Sequence, residues 1–154
     1  MSQITIRPAT VADYPRLEQI YLVARQRAFP WVHQPRLTDF DRDSRGELIL
    51  VAELNQQVVG FTSFYRLASF IHLLFVDPAF HHQHVGTALI GGLRTIATEP
   101  LQLKVVIQNE AARAFYAHHH FRETKRDVLA TPPNITLEDT RLDQYPNLGR
   151  HATI

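Results

Sequence analysis

Histidine is clustered in this chain: His81, His82 and His84 share one four-residue window, and His118, His119 and His120 stand in a row. An imidazole can ligate a metal, carry a proton near neutrality or donate a hydrogen bond to an anion. A tetrahedral metal site needs four converging ligands, and the 81–84 group has no fourth. No Cys exists to supply one. Residues 118–120 fall on consecutive positions at a helix end, where neighbours point about 100° apart and cannot converge on one ion. Histidines in a last helical turn suit the negative end of the helix dipole. The expectation is therefore no native metal site.

The first cluster lies in residues 76–89, which read VDPAFHHQHVGTAL. An apolar run precedes this stretch and a helical pattern follows it. The first N–H groups of a helix have no internal partner, and the dipole favours negative charge there, so such a loop can cradle a pyrophosphate. Gly86 would allow the ligand close to the backbone. Many strand–loop–helix units bind nothing, so a plain connecting loop is the competing reading of this segment alone.

The elements that would position this loop follow from periodicity. Residues 3–7 alternate as a short strand. Thr10 with Asp13 resembles a capping box, although Pro15 leaves Asp13 itself as an alternative cap. Leu17, Ile20, Tyr21, Ala24 and Ala28 then repeat at helical spacing. Phe29-Pro30-Trp31 ends that helix, and Thr38 starts a second, short one rich in Asp and Arg. Leu48–Leu54 and residues 58–65 are β-rich runs joined by Asn55-Gln56-Gln57, a predicted hairpin. Phe70–Val76 is nearly all apolar, as expected of a central strand covered on both faces. Residues 85–97 form a helix weakened by Gly91-Gly92, a pair that predicts close packing. Residues 101–107 predict a strand, 109–119 a helix, and 121–130 and 135–143 two last strands. Beyond Gln144 the pattern fades, which suggests a loose tail. The order β-α-α-β-β-β-α-β-α-β-β predicts an α+β fold with a mixed sheet.

Bulk properties narrow the function classes. The 154 residues suit one domain with a sizeable core. A formal net charge of +1 offers no footprint for nucleic acid or an anionic membrane. The absence of Cys excludes disulfides and cysteine nucleophiles. No window approaches the ~20 apolar residues of a membrane span, and no signal-peptide pattern opens the sequence. A cytoplasmic protein is expected.

Taken together, the segments resemble the GNAT superfamily of acyl-CoA-dependent N-acetyltransferases over most of the chain. Ile6-Arg7-Pro8-Ala9-Thr10 with Asp13 is similar to the family's opening, and Val59-Gly60-Phe61 to its central hairpin strand. Leu74-Phe75-Val76-Asp77-Pro78 leading into His81-His82-Gln83-His84-Val85-Gly86 resembles the acyl-CoA signature Gln/Arg-x-x-Gly-x-Gly/Ala. Asn109-Glu110-Ala111-Ala112-Arg113-Ala114-Phe115-Tyr116, followed by Phe121, resembles Asn-x-x-Ala-x-x-Phe-Tyr. The chain departs from the pattern at three places. His81 replaces Gln or Arg, His84 replaces the first glycine, and His120 replaces the glycine before Phe121. An imidazole at position 84 is expected to reshape the loop or weaken cofactor binding, with His81 partly compensating as a donor to phosphate.

The resemblance implies one domain over residues 1–154, with a mostly antiparallel sheet flanked by about four helices. It implies acetyl-CoA as co-substrate, no metal, and direct attack of a primary amine on the thioester in a ternary complex. Its cofactor residues map to Phe75, Val76, His81, His82, Gln83, His84, Val85, Gly86, Thr87, Asn109 and Ala112. Phe75 and Val76 would meet the pantetheine arm. Asn109 would serve the cofactor side or merely cap its helix. Tyr116 is the candidate general acid, with a core aromatic as the alternative. A phenol of pKa about 10 can protonate a thiolate whose acid has a pKa of about 8.5. His72 is the candidate base, directly or through water, unless it is a satisfied core residue. His33 and Glu53 are weaker candidates. Trp31 and His33 lie where the family shapes its acceptor pocket, or they anchor a loop. The acceptor is a small amine or a peptide or protein amine, and a homodimer is compatible with the family. The competing reading is a non-catalytic acyl-CoA-binding or regulatory module with an altered pyrophosphate loop.

Overall fold

In the computed structural model, residues 3–28 and 34–150 are described. They form an α+β fold with seven strands and four helices, and hydrogen-bonded strands follow the order β1 (Thr5–Pro8), β2 (Leu48–Leu54), β3 (Gln57–Tyr65), β4 (Phe70–Val76), β5 (Gln102–Val106), β7 (Asn134–Asp139), β6 (Phe121–Asp127). Two compact units are present: Met1–Tyr65 with His72–Gly92, and Arg66–Ile71 with Leu93–Ile154.

In the first unit, β1 (Thr5–Pro8) pairs antiparallel with β2 (Leu48–Leu54), and β2 with β3 (Gln57–Tyr65). The predicted hairpin forms through Asn55 and Gln56, both at positive φ (53° and 65°). That handedness suits the strand twist in a tight hairpin, and Asn tolerates it well. Asp13 does cap toward Thr10: its carboxylate accepts the Thr10 N–H at 2.8 Å. It also accepts two Arg7 N–H bonds at 2.8 and 2.9 Å. A short 3₁₀ turn, Val11–Asp13, then opens α1 (Tyr14–Ala28).

The helical spacing of Leu17, Ile20 and Tyr21 puts all three in the core. They pack with Phe40 of α2 (Asp39–Ser44), Ile49, Val51, Phe61 and Leu73. A second cluster joins Val85 and Leu89 of α3 (Val85–Ile96) to Ala52, Leu54 and Val59. Gly60 is what permits this approach, because a Cβ there would sit 2.9 Å from Val85 Cγ1 and 3.0 Å from the Phe75 carbonyl oxygen. Gly92 has the same role against Ile6, at 2.9 Å. Gly91 has open space around it, so close packing explains only half of the glycine pair.

The strand β4 (Phe70–Val76) has the expected bounds. It is not buried on both faces, however: Ile71 and Leu73 are buried, His72 is exposed, and residues 74–76 are half-buried. An apolar run marks a strand without stating what covers each face.

In the second unit, the parallel pair Phe70–Gln102 opens β5 (Gln102–Val106). The strand β7 (Asn134–Asp139) lies antiparallel between β5 and β6 (Phe121–Asp127). Helix α4 (Glu110–His118) precedes β6. β6 stops earlier than expected because the Asp127 carboxylate accepts the N–H groups of Leu129 and Ala130, turning the chain. β7 ends at Asp139, whose buried carboxylate takes the Arg94 guanidinium at 2.7 and 3.0 Å and the Tyr145 hydroxyl at 2.6 Å. Of the loose tail expected beyond Gln144, the described part, to residue 150, is instead tied down. Tyr145 is buried and its hydroxyl also accepts the Leu101 N–H. Asn147 and Gly149 donate to the Thr95 and Thr98 carbonyls. Polar anchoring of this kind leaves no hydrophobic period to read.

Candidate active site

The loop between β4 and α3 is fixed at its start. Asp77 N–H donates to the Val59 carbonyl at 2.8 Å, and the Asp77 carboxylate accepts the Ala79 N–H and an Arg16 guanidinium N–H, the latter at 2.6 Å. Arg16 also donates to the Val58 carbonyl. Burial pushes the Asp77 carboxyl up, but the Ala79 N–H and Arg16 outweigh it, so the group lies below its ordinary range. After a 3₁₀ turn (Pro78–Phe80), His82 and His84 both take positive φ, 65° and 63°. Among the described residues, the backbone N–H groups of His82, Gln83, His84, Val85 and Gly86 have no hydrogen-bond partner. His84 acts as the helix cap, its carbonyl accepting the Ala88 N–H. The three imidazoles are exposed. The chemistry available here is anion capture by an open run of amides at a helix N-terminus.

His84 therefore adopts the left-handed conformation that glycine prefers. A single non-glycine residue there costs about 1 kcal/mol. His120 does the same after α4 (φ 70°), its carbonyl accepting the Thr140 N–H and hydroxyl.

Residue His72 is not a buried core histidine. Its ring is 42% exposed, and Nδ1 lies 3.1 Å from both carboxylate oxygens of Glu47. Glu47 itself is largely buried and accepts the hydroxyl of the fully buried Ser63. Nothing in the sequence pattern links Glu47, Ser63 and His72, because they come from the bend before β2, from β3 and from β4. Glu53, a weaker base candidate, is instead engaged by Arg7 at 2.6 and 2.8 Å, which makes it half of an ion pair.

In the second unit, the Tyr116 ring is buried, edge-on to Phe115 and Phe121 at centroid distances of 5.0 and 5.3 Å. Its hydroxyl has no hydrogen-bond partner among the described residues. Among the described residues no fully inaccessible side-chain oxygen is left unpartnered, so this hydroxyl keeps a small contact with solvent although the residue as a whole is buried. Burial raises the phenol above its ordinary pKa, so it stays protonated through the neutral range. Asn109 caps α4, its side-chain oxygen accepting the Ala112 N–H at 3.2 Å. The capping reading of Asn109 thus describes its oxygen, and Ala112's N–H is already used. His119 is half-buried against Phe115, and desolvation holds it below the usual imidazole range. The two acceptor-pocket candidates, Trp31 and His33, lie outside the described residues. Among the described residues, no group of three or more potential ligands is placed to hold a metal ion, and no helix is long and apolar enough to cross a membrane.

A model of the acetyltransferase (GNAT) family matches residues 14–121, more than half of the chain. The chain belongs to the GNAT family. Its fold agrees with several solved structures. YjaB from Escherichia coli, in its apo form, is 26% identical with a TM-score of 0.73, over 90% of this chain and 98% of that one. The PaiA N-acetyltransferase from Thermoplasma acidophilum, in complex with coenzyme A, is 16% identical with a TM-score of 0.73, over 89% and 98%. The yncA protein from Salmonella typhimurium, with its cofactor acetyl-CoA, is 23% identical with a TM-score of 0.68, over 97% and 96%. A search of curated proteins returns no match.

Proposed function

We propose that this GNAT chain is a single-domain N-acetyltransferase that moves the acetyl group of acetyl-CoA to a primary amine by direct attack. The observation that carries this reading is the open run of amides from His82 to Gly86 at the head of α3, behind a loop start pinned by Arg16 and Asp77. It offers a diphosphate several N–H bonds and a favourable dipole at once. PaiA and yncA, structures holding coenzyme A and acetyl-CoA, support the choice of cofactor. Thr87, Phe75 and Val76 flank that loop and belong to the same proposed cofactor surface.

Chemistry then asks for two proton transfers. His72 takes a proton from the attacking amine, as an exposed imidazole can. Tyr116 gives one to the leaving thiolate: burial keeps the phenol protonated through the neutral range, and its donation is coupled to C–S cleavage because the raised pKa makes it a weak acid. The decisive test is a thiol-release screen with acetyl-CoA against diverse amines, amino acids and peptide N-termini, run beside Tyr116→Phe. Amine-dependent release by wild type that drops in the variant supports transfer. Calorimetric acetyl-CoA binding without release across the panel would instead make this chain a non-catalytic acyl-CoA-binding module.

A further inference from the structure

We infer that Glu47 is a positioning residue for His72, and that it determines which imidazole nitrogen faces the acceptor amine. This inference rests on the reading of His72 as base. A carboxylate has only lone pairs to offer, so an imidazole nitrogen at 3.1 Å from both of its oxygens must carry the hydrogen. The His72 ring is therefore the Nδ1–H tautomer when neutral, with a lone pair on Nε2. Nε2 has no hydrogen-bond partner among the described residues, and the ring is 42% exposed. Glu47 cannot easily swing away. The Ser63 hydroxyl, from a residue with no exposed surface, donates to one of its oxygens, and the Glu47 N–H is tied to the Ser44 carbonyl at 3.1 Å. The result is a carboxylate held from behind, an imidazole held by the carboxylate, and one basic nitrogen facing outward. The same division of labour lets a carboxylate orient a catalytic histidine and stabilise its cation in other acyl transfers.

The step balances without any other reactant. Nε2 takes a proton from the acceptor ammonium, leaving a neutral amine and an imidazolium facing Glu47. The amine nitrogen bonds to the thioester carbon, the C–S bond breaks, and the thiolate leaves with a proton from the general acid. The amide nitrogen and His72 each then lose one proton, the first restoring the general acid and the second passing to water.

Imidazole ¹⁵N NMR of the whole chain, with no acceptor present, reads the tautomer directly. Wild type should show Nδ1–H for neutral His72, and Glu47→Ala should shift it toward Nε2–H. Glu47→Gln, whose amide oxygen still accepts a hydrogen bond, should largely retain the wild-type tautomer. With acetyl-CoA and the panel amine that wild type turns over fastest, Glu47→Ala should lose about 10- to 100-fold in kcat/KM for the amine. Its KM for acetyl-CoA should stay within about twofold. If Glu47→Ala does not fold, Ser63→Ala should still loosen the carboxylate and broaden or shift the His72 signals. An Nε2–H tautomer in wild type, or an unmoved tautomer in a folded Glu47→Ala, overturns the positioning role. His72→Gln separates the two ideas. Full turnover in that variant overturns His72 as base, whereas a loss there with none in Glu47→Ala overturns Glu47 alone.

Discussion

Removing one oxygen from Tyr116 isolates the proposed general acid. The ring contributes edge-on packing with Phe115 and Phe121, and Phe at this position keeps all of it. The hydroxyl has no partner among the described residues, so Tyr116→Phe gives up no internal hydrogen bond, a loss that would otherwise cost about 1 kcal/mol. Stability should therefore stay within about 0.5 kcal/mol, or about 2 °C in Tm for a chain of this size. Tyr116→Ala would be uninformative, because emptying a buried aromatic site costs about 3–5 kcal/mol. On the chemical side, a lost general acid slows a reaction by about 10²–10⁴. A thiolate is already a fair leaving group, so the low end applies. A drop of about 100-fold in kcat corresponds to about 2.7 kcal/mol of transition-state stabilisation. The assay is thiol release at saturating acetyl-CoA, with KM for acetyl-CoA and a thermal melt measured on the same preparation. KM should move less than about threefold, since the hydroxyl is not a cofactor anchor in this scheme. Turnover within threefold of wild type would refute the general-acid role. A fall of many degrees in Tm would refute the hydroxyl's contact with solvent.

Three other perturbations probe the loop and its supports. His84→Gly removes an imidazole and its Cβ from the amide cradle. The relief of left-handed strain, about 1 kcal/mol, is largely offset by the added flexibility of glycine, so stability should barely change. Calorimetry should show acetyl-CoA binding several-fold tighter, and weaker binding would mean that the imidazole itself contacts phosphate. Asp13→Asn tests the Arg7 clamp, which lowers the Asp13 pKa to about 2. A depressed carboxylate stabilises the fold above its ordinary pKa, and that contribution fades as pH falls through about 2. Urea melts should show a deficit of about 1–2 kcal/mol near neutrality that narrows between about pH 4 and about pH 2. Asp139→Asn leaves the Arg94 guanidinium without its buried counter-charge. A loss of about 3–5 kcal/mol, on the order of 10 °C in Tm, is expected by calorimetry. A shift under a few degrees would mean that the Arg94–Asp139–Tyr145 network is worth far less.

Much of this protein is written in local pattern. Strand and helix positions follow from period-2 and period-3.6 spacing of apolar residues, and Leu48–Leu54 and Phe70–Val76 have the bounds their composition implies. The Asn109 and Asp13 caps are equally local, since each acts within three residues of itself. The signature loop is legible for the same reason: a strand, a turn and a helix start are consecutive in the chain. His84 stands where the resembling pattern has glycine and takes positive φ, whereas the positive φ of His82 has no replaced glycine to announce it.

Tertiary structure decided the rest. Glu47, Ser63 and His72 meet only because the bend before β2 and two separate strands place them within hydrogen-bond reach, and no spacing rule encodes such a meeting. Glu53 is also a glutamate and lies within β2 itself, yet it is consumed by Arg7. Residues 144–150 have no hydrophobic period, but buried Tyr145 and Asp139 tie them down through directed polar bonds. Hydrophobic periodicity reports which side of an element is buried against something. It carries no information about which distant polar group will stand there, and that is where the proton chemistry of this chain is determined.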